Sequence, residues 1–107
     1  MYARMNTARW NPHTRERALQ MTFEKIIPAY ERHPGYGGYV LLLDNESDKG
    51  IAITLWETEA DRESSLEIAK AMIGELRGVL REPPLTENFE VVVHLPGQPL
   101  DRADGTS

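Results

Sequence analysis

The stretch YVLLLDNESDKGIAITLW, from Tyr39 to Trp56, contains two apolar runs separated by turn-forming residues. Short continuous apolar runs are typical of strands that are covered on both faces, and Asn, Ser, Asp and Gly between such runs favour a turn. The stretch therefore predicts a β-hairpin, with one strand over Tyr36–Asp44 and the next over Gly50–Glu57.

Each strand of this hairpin belongs to a strand–helix–strand unit, and the chain contains two such units in tandem. The predicted elements are, in order, the strand Tyr2–Trp10, the helix Thr14–Arg32, the strand Tyr36–Asp44, the strand Gly50–Glu57, the helix Thr58–Arg81 and the strand Phe89–Leu95. This βαββαβ order predicts an α+β, ferredoxin-like fold, in which right-handed crossovers place both helices on one face of a four-stranded antiparallel sheet.

Both predicted helices carry an apolar stripe at helical spacing, which would pack on the sheet. The stripe residues are Leu19, Phe23, Ile26, Ile27 and Tyr30 in the first helix, and Leu66, Ala69, Met72, Ile73, Leu76 and Leu80 in the second. Pro28 lies within the first stripe and predicts a kink or a tightened last turn. The opposite sheet face is left bare, and a bare apolar face needs a partner. The sequence therefore predicts a homodimer.

Composition limits the domain organisation and the partners. The chain has 107 residues, a formal net charge of −5 and no cysteine. We expect one domain over residues 1–95 and a flexible C-terminal tail over residues 96–107. An acidic protein without a basic patch is a poor ligand for nucleic acid or an anionic membrane, and no apolar run reaches membrane-spanning length. A cytoplasmic location is the default expectation.

Two phrases of the sequence resemble the antibiotic biosynthesis monooxygenase-like family of dimeric α/β barrels. They are Gly50-Ile-Ala-Ile-Thr-Leu-Trp-Glu-Thr-Glu-Ala-Asp61 and Pro34-Gly35-Tyr36-Gly37-Gly38-Tyr39, and the likeness covers residues 2–95. The superfamily includes cofactor-free oxygenases of aromatic polyketides, haem-degrading oxygenases and small quinol oxygenases. The resemblance implies the fold and leaves the reaction open.

Asn6 and Arg4 are candidates for binding an anion, because pleat parity places both side chains on one face of the first strand. A mid-strand amide can equally serve to bind a neighbouring strand. The haem-degrading relatives use an asparagine on the first strand, a tryptophan at the end of the third and a histidine on the second helix. Asn6 and Trp56 match the first two, but Thr58–Arg81 contains no histidine, so haem binding is not favoured.

Trp56 has an indole suited either to stacking on a flat aromatic ligand or to core packing. Thr54 and Ala52 share its face, and their small side chains would leave room for a ligand. His94 is either a general base or a half-exposed polar strand end. The histidines and acids show no spacing typical of a metal site or a catalytic triad, so we predict no metal.

The first hypothesis is a homodimeric, cofactor-independent monooxygenase that oxidises a small aromatic or polyketide-type phenol or quinol without metal or flavin. The resemblance implies that Arg4 and Asn6 bind the oxyanion, with Trp56 against the ring, Thr54 as a substrate contact and His94 as the base. The alternative is a non-catalytic dimeric module that binds a small apolar ligand or acts in a stress response. A haem-degrading oxygenase is the third and weakest alternative.

Overall fold

The computed structural model describes residues 1–97 of the chain and shows the predicted α+β fold. Its strands are β1 (Tyr2–Arg9), β2 (Tyr36–Leu43), β3 (Lys49–Trp56) and β4 (Leu85–Glu90). They form a four-stranded sheet in the order β2-β3-β1-β4, and every neighbouring pair is antiparallel. This is the strand order expected for βαββαβ, so the fold prediction is confirmed. Most of the predicted tail, residues 98–107, lies outside the described residues.

The first helical segment contains a widened turn in place of the predicted kink. After a 3₁₀ turn at Pro12–Thr14, α1 (Arg15–Met21) and α2 (Ile27–Glu31) flank a π-helical turn at Thr22–Ile26, where the Ile27 N–H bonds to the Thr22 carbonyl. Since Pro28 has no N–H to continue the α-helical ladder, a wider turn before it is tolerated. The extra residue rotates the stripe, so that Thr22 is buried while Phe23 is 69% exposed.

The second helical segment is shorter than predicted and consists of α3 (Glu59–Ser64) and α4 (Leu66–Glu75), separated at Ser65. The predicted end at Arg81 is wrong. Gly78 adopts a left-handed backbone with φ of 85°, which ends helical continuation at low cost. The chain then runs back along the end of β1, where the Asn11 N–H bonds to the Val79 carbonyl at 2.8 Å. Leu66, predicted to be buried, is exposed.

The last strand begins four residues earlier than predicted. It spans Leu85–Glu90 instead of Phe89–Leu95. Glu90 pairs with Tyr2, the first residue of β1, and the Val91 N–H bonds to the Met1 carbonyl. Later residues therefore have no neighbouring strand within residues 1–97. The β-forming side chains of Val92 and Val93 remain 85% and 72% exposed, because β propensity requires a pairing partner.

The helices cover one face of the sheet, and no described element of the single chain covers the other. The covered face contributes Trp56 to a buried core cluster with Ile26, Tyr30 and Ala69. The register places Val40, Ile53 and Met5 in one row of the opposite face, and Leu42, Ile51, Thr7 and Leu85 in the next. Within residues 1–97, no helix has the length and hydropathy needed to cross a membrane.

Candidate functional site

A cavity of about 110 Å³ lies between the covered face of the sheet and the helices. Its sheet side includes Asn6, Ala8, Ala52 and Thr54, and its helix side includes Thr22, Ile26, Ala69 and Met72. Ala8 and Ala52 keep side-chain volume low at the centre of the sheet, which leaves the space open under the helices. The cavity adjoins the small residues Ala52 and Thr54, although Trp56 is not part of its wall within residues 1–97.

Asn6 is held in one orientation by the neighbouring strand. Thr86, directly opposite on β4, donates its hydroxyl hydrogen to Asn6 Oδ1 over 2.6 Å. Because this bond engages the carbonyl oxygen, the amide N–H groups are the donors that Asn6 offers to the cavity that it lines. Asn6 thus bonds to a sheet neighbour, as one sequence interpretation held, and its role as an anion-binding residue stays a prediction.

Two tyrosines supply further donors to the cavity wall. Burial, with a smaller effect from Tyr30 and Tyr36, raises the pKa of Tyr39 to about 12. Burial also raises the pKa of Tyr30, although the nearby Arg4 charge opposes this. Both phenols therefore stay protonated at neutral pH, and both line the cavity. A neutral phenol can donate a hydrogen bond to an anionic ligand atom.

Trp10 is a lining residue that the sequence analysis did not select. Its side chain is 6% exposed, and its buried indole N–H has no hydrogen-bond partner within the described residues. A buried unpaired donor is costly unless a ligand or water satisfies it. The available signal was pleat parity in the predicted strand Tyr2–Trp10, because every second side chain of a strand lies on the same face, which places Trp10 with Asn6 and Ala8.

Trp56 is a core residue and does not line the cavity among the described residues. Its side chain is 0% exposed, with Tyr30, His33 and Tyr36 in edge-on contact at centroid distances of 5.8, 5.2 and 5.9 Å. Its indole N–H donates to Thr54 Oγ1 over 2.9 Å. The predicted stacking of Trp56 on a ligand is therefore corrected, because packing encloses the indole on all sides. Its effect on the cavity is to orient the Thr54 hydroxyl.

Arg4 is also enclosed instead of reaching a ligand. It is 2% exposed, and its guanidinium donates to Ser65 Oγ at 2.8 Å and to the Arg62 carbonyl at 2.6 Å. These bonds bind β1 to the junction of α3 and α4, and Nε has no partner within residues 1–97. Burial lowers the pKa of Arg4. The predicted contact of Arg4 with a substrate oxyanion is therefore corrected. The guanidinium instead has a structural role, and its positive charge lies near Tyr30.

His94 is not brought to the cavity in the single chain. It lies four residues after the end of β4, is exposed, and is absent from the cavity wall of residues 1–97. Within the described part of the chain, the cavity wall contains no Asp, Glu, His, Lys or Arg. No group of three His, Asp or Glu side chains suited to a metal ion occurs there either.

Comparison with solved structures places this architecture among known folds. No family model matches the chain, and no curated protein matches it. The chain is similar to a Nitrosomonas europaea protein assigned as an antibiotic biosynthesis monooxygenase, at 16% identity and a TM-score of 0.70 over 87% of this chain and 100% of that one. The chain has the antibiotic biosynthesis monooxygenase fold. The predicted resemblance is confirmed at this level.

Two further structures with this fold have described activities. SnoaB, a cofactor-independent oxygenase from Streptomyces nogalater, is 17% identical, with a TM-score of 0.69 over 90% of this chain and 97% of that one. The heme-degrader MhuD from Mycobacterium tuberculosis is 18% identical, with a TM-score of 0.69 over 90% and 100%. Identities this low establish the fold and leave the reaction to the residues of the site.

The residues present do not fit a haem group. Neither α3 nor α4 contains a histidine, and no cavity-wall residue within 1–97 is a histidine. A volume of about 110 Å³ is also smaller than the ~150 Å³ cavity that accommodates one benzene molecule. A macrocycle of four pyrroles would require the helices to separate from the sheet.

Proposed function

We propose that the protein is a cofactor-independent oxygenase of a small phenol or quinol whose ring enters the cavity. The observation that supports this proposal is an apolar cavity whose polar groups are neutral donors. They include the Asn6 amide, the Trp10 indole N–H, the Thr54 hydroxyl and the phenols of Tyr30 and Tyr39. Donors of this kind, fixed in a low-dielectric site, stabilise the anion of a substrate more than its neutral form.

The donors determine how the reaction would proceed. Hydrogen bonds to a phenol oxygen lower the pKa of the bound phenol, so its proton leaves to solvent and an electron-rich phenolate remains. The phenolate reacts directly with dioxygen. One oxygen atom enters the product, the other leaves as water, and both electron pairs come from the substrate. The contribution of the protein is orientation and anion stabilisation.

We infer that the functional unit is a dimer of this chain. On the uncovered sheet face Val40, Leu42, Leu85 and Phe89 are 40–63% exposed and lie beside half-buried Ile51, Ile53 and Leu55. A second copy presents the same apolar surface and would bury it in a symmetric contact. The similarity of fold to dimeric barrels, inferred first from the sequence, agrees with this arrangement.

A non-catalytic small-molecule-binding or stress-response module is the second candidate. The observation that favours it is the cavity wall of residues 1–97, which offers donors but no side chain that accepts a proton at neutral pH. Such a protein would bind a phenol and release it unchanged.

Oxygen consumption separates the two candidates. The purified protein is mixed with hydroquinone or a hydroxynaphthalene, and the rate above the protein-free autoxidation rate is recorded with product analysis. A saturable rate that Asn6→Leu reduces about a hundredfold supports the oxygenase. Binding of the same phenols in calorimetry without any excess oxygen uptake would instead support the binding module.

A further inference from the structure

An open groove of about 540 Å³ adjoins the cavity on its outer side, between the first helical segment and the edge strand β2. The two spaces share the side chains of Thr22, Tyr39, Leu41 and Leu43 as walls. The groove is otherwise lined mainly by apolar residues such as Leu19 and Phe23. Cavity and groove are thus neighbouring compartments; both are partly open to solvent, and the cavity is the smaller of the two.

The sizes of the compartments limit what each can hold. A volume of about 110 Å³ is less than the ~150 Å³ of a benzene-binding cavity, so one six-membered ring would fill the cavity and extend through its open side. A substrate with anything beyond a single ring must place the remainder outside the cavity. The shared wall at Tyr39 and Leu41 makes the groove the adjacent space for that remainder.

Arg15 gives the groove a specific charge. Within residues 1–97 it is the one ionised side chain that lines either compartment. Its guanidinium carbon lies 6.0 Å from the centroid of the Trp10 ring, which itself lines the cavity, so the charge is held near the boundary of the two spaces.

Asp48, whose backbone carbonyl accepts from the Trp10 backbone N–H, is already engaged with other cations. Asp48 forms ion pairs with Arg9 and Arg81, and its pKa is lowered chiefly by the hydrogen bond from Arg9. No described ion pair includes Arg15. In a protein of net charge −5, an arginine that has no carboxylate partner within residues 1–97 and lies beside an apolar groove favours an anionic ligand group there.

We propose that the ligand is a single-ring phenol whose side chain ends in a carboxylate, with the ring in the cavity and the carboxylate bound by Arg15 in the groove. The proposal rests on the proposed function for the identity of the ring, and it adds the class of the substituent. Arg15 is then a specificity-determining residue, and it takes no part in the reaction at the ring.

The test is equilibrium binding by calorimetry under nitrogen, which excludes turnover. The probes are para-hydroxyphenylacetate, para-hydroxyphenylpropionate and para-hydroxyphenylbutyrate, each compared with its primary amide. We expect at least one acid to bind about fivefold more tightly than its amide, with the difference decreasing at high salt. Arg15→Gln should weaken the acid to the affinity of the amide and leave the amide unchanged.

Two variants make the result specific to Arg15. Arg15→Lys should retain part of the preference because the charge remains, and Arg17→Gln should retain all of it because Arg17 is exposed and lines neither compartment. Equal affinity for acid and amide, an unchanged preference in Arg15→Gln, or no binding of any probe would each overturn the proposal. Arg15-dependent binding without oxygen consumption would overturn the oxygenase while leaving the ligand class intact.

Discussion

Thr86 binds Asn6 across the β1–β4 pair, with its hydroxyl oxygen 2.6 Å from Asn6 Oδ1. The two residues are directly opposed in the register, so the bond fixes the side-chain amide of a cavity residue from a strand that otherwise contributes little to the cavity. The orientation of the Asn6 amide therefore depends on a residue outside the cavity wall.

Thr86→Val should lower kcat/KM for the oxidised phenol by about tenfold while changing stability by less than about 1 kcal/mol. The valine has the shape of threonine but leaves the amide free to rotate away from the substrate oxygen. Steady-state oxygen consumption and urea unfolding measure the two effects. Thr86→Ser retains the hydroxyl and should keep most of the activity; a serine variant as impaired as the valine variant would refute this role.

Trp56→Ala should destabilise the protein by about 3–5 kcal/mol, because it empties the centre of the core cluster. Trp56→Phe keeps most of the packing and removes the bond to Thr54, so its cost should be nearer 1–2 kcal/mol. Urea unfolding with circular dichroism detection measures both. An alanine variant as stable as the native protein would show that the indole is not a core residue.

The stability of the protein should fall between pH 10 and 12 in part because of Tyr39. Its pKa is raised by burial to about 12 in the folded chain and is near 10 when unfolded, so in this window only the unfolded state loses the proton. The free energy of unfolding therefore falls by about 2–3 kcal/mol as the pH rises through the whole window. The stability of Tyr39→Phe should depend less on pH in this window. Urea midpoints of the variant and of the native protein, each measured at about pH 9 and 11, give the two pH dependences. Identical pH dependence in the two proteins would contradict the shift.

Leu42→Lys should convert the proposed dimer into a monomer. Leu42 is 49% exposed on the uncovered sheet face, where a charge would be buried unpaired by a second copy. Leu66→Lys is the matched control, since Leu66 is 37% exposed on α4 and lies away from that face. Sedimentation velocity at micromolar concentration measures both. The assembly proposal is wrong if the native protein sediments as a monomer.

Alternation and helical spacing were sufficient to predict the sheet, the hairpin and the side on which the helices lie. The ends of the helices and strands were less predictable, because they depend on which neighbouring segments are available to pair or pack with. Val91–Leu95 has strong β propensity, yet β4 ends at Glu90, since β1 begins at Tyr2 and provides no further strand to pair with. The π-helical turn before Pro28 likewise moved Phe23 out of the stripe that simple periodicity assigned to it.

The sequence by itself determined the βαββαβ order, the face that Asn6 shares with Arg4, and the small residues beside Trp56, because these follow from local periodicity and pleat parity. Only the tertiary structure decided that Trp56 and Arg4 are enclosed, that Thr86 orients Asn6, and that Tyr30 and Tyr39 line the site. Those outcomes depend on side chains that are distant in sequence and meet only when the helices pack on the sheet.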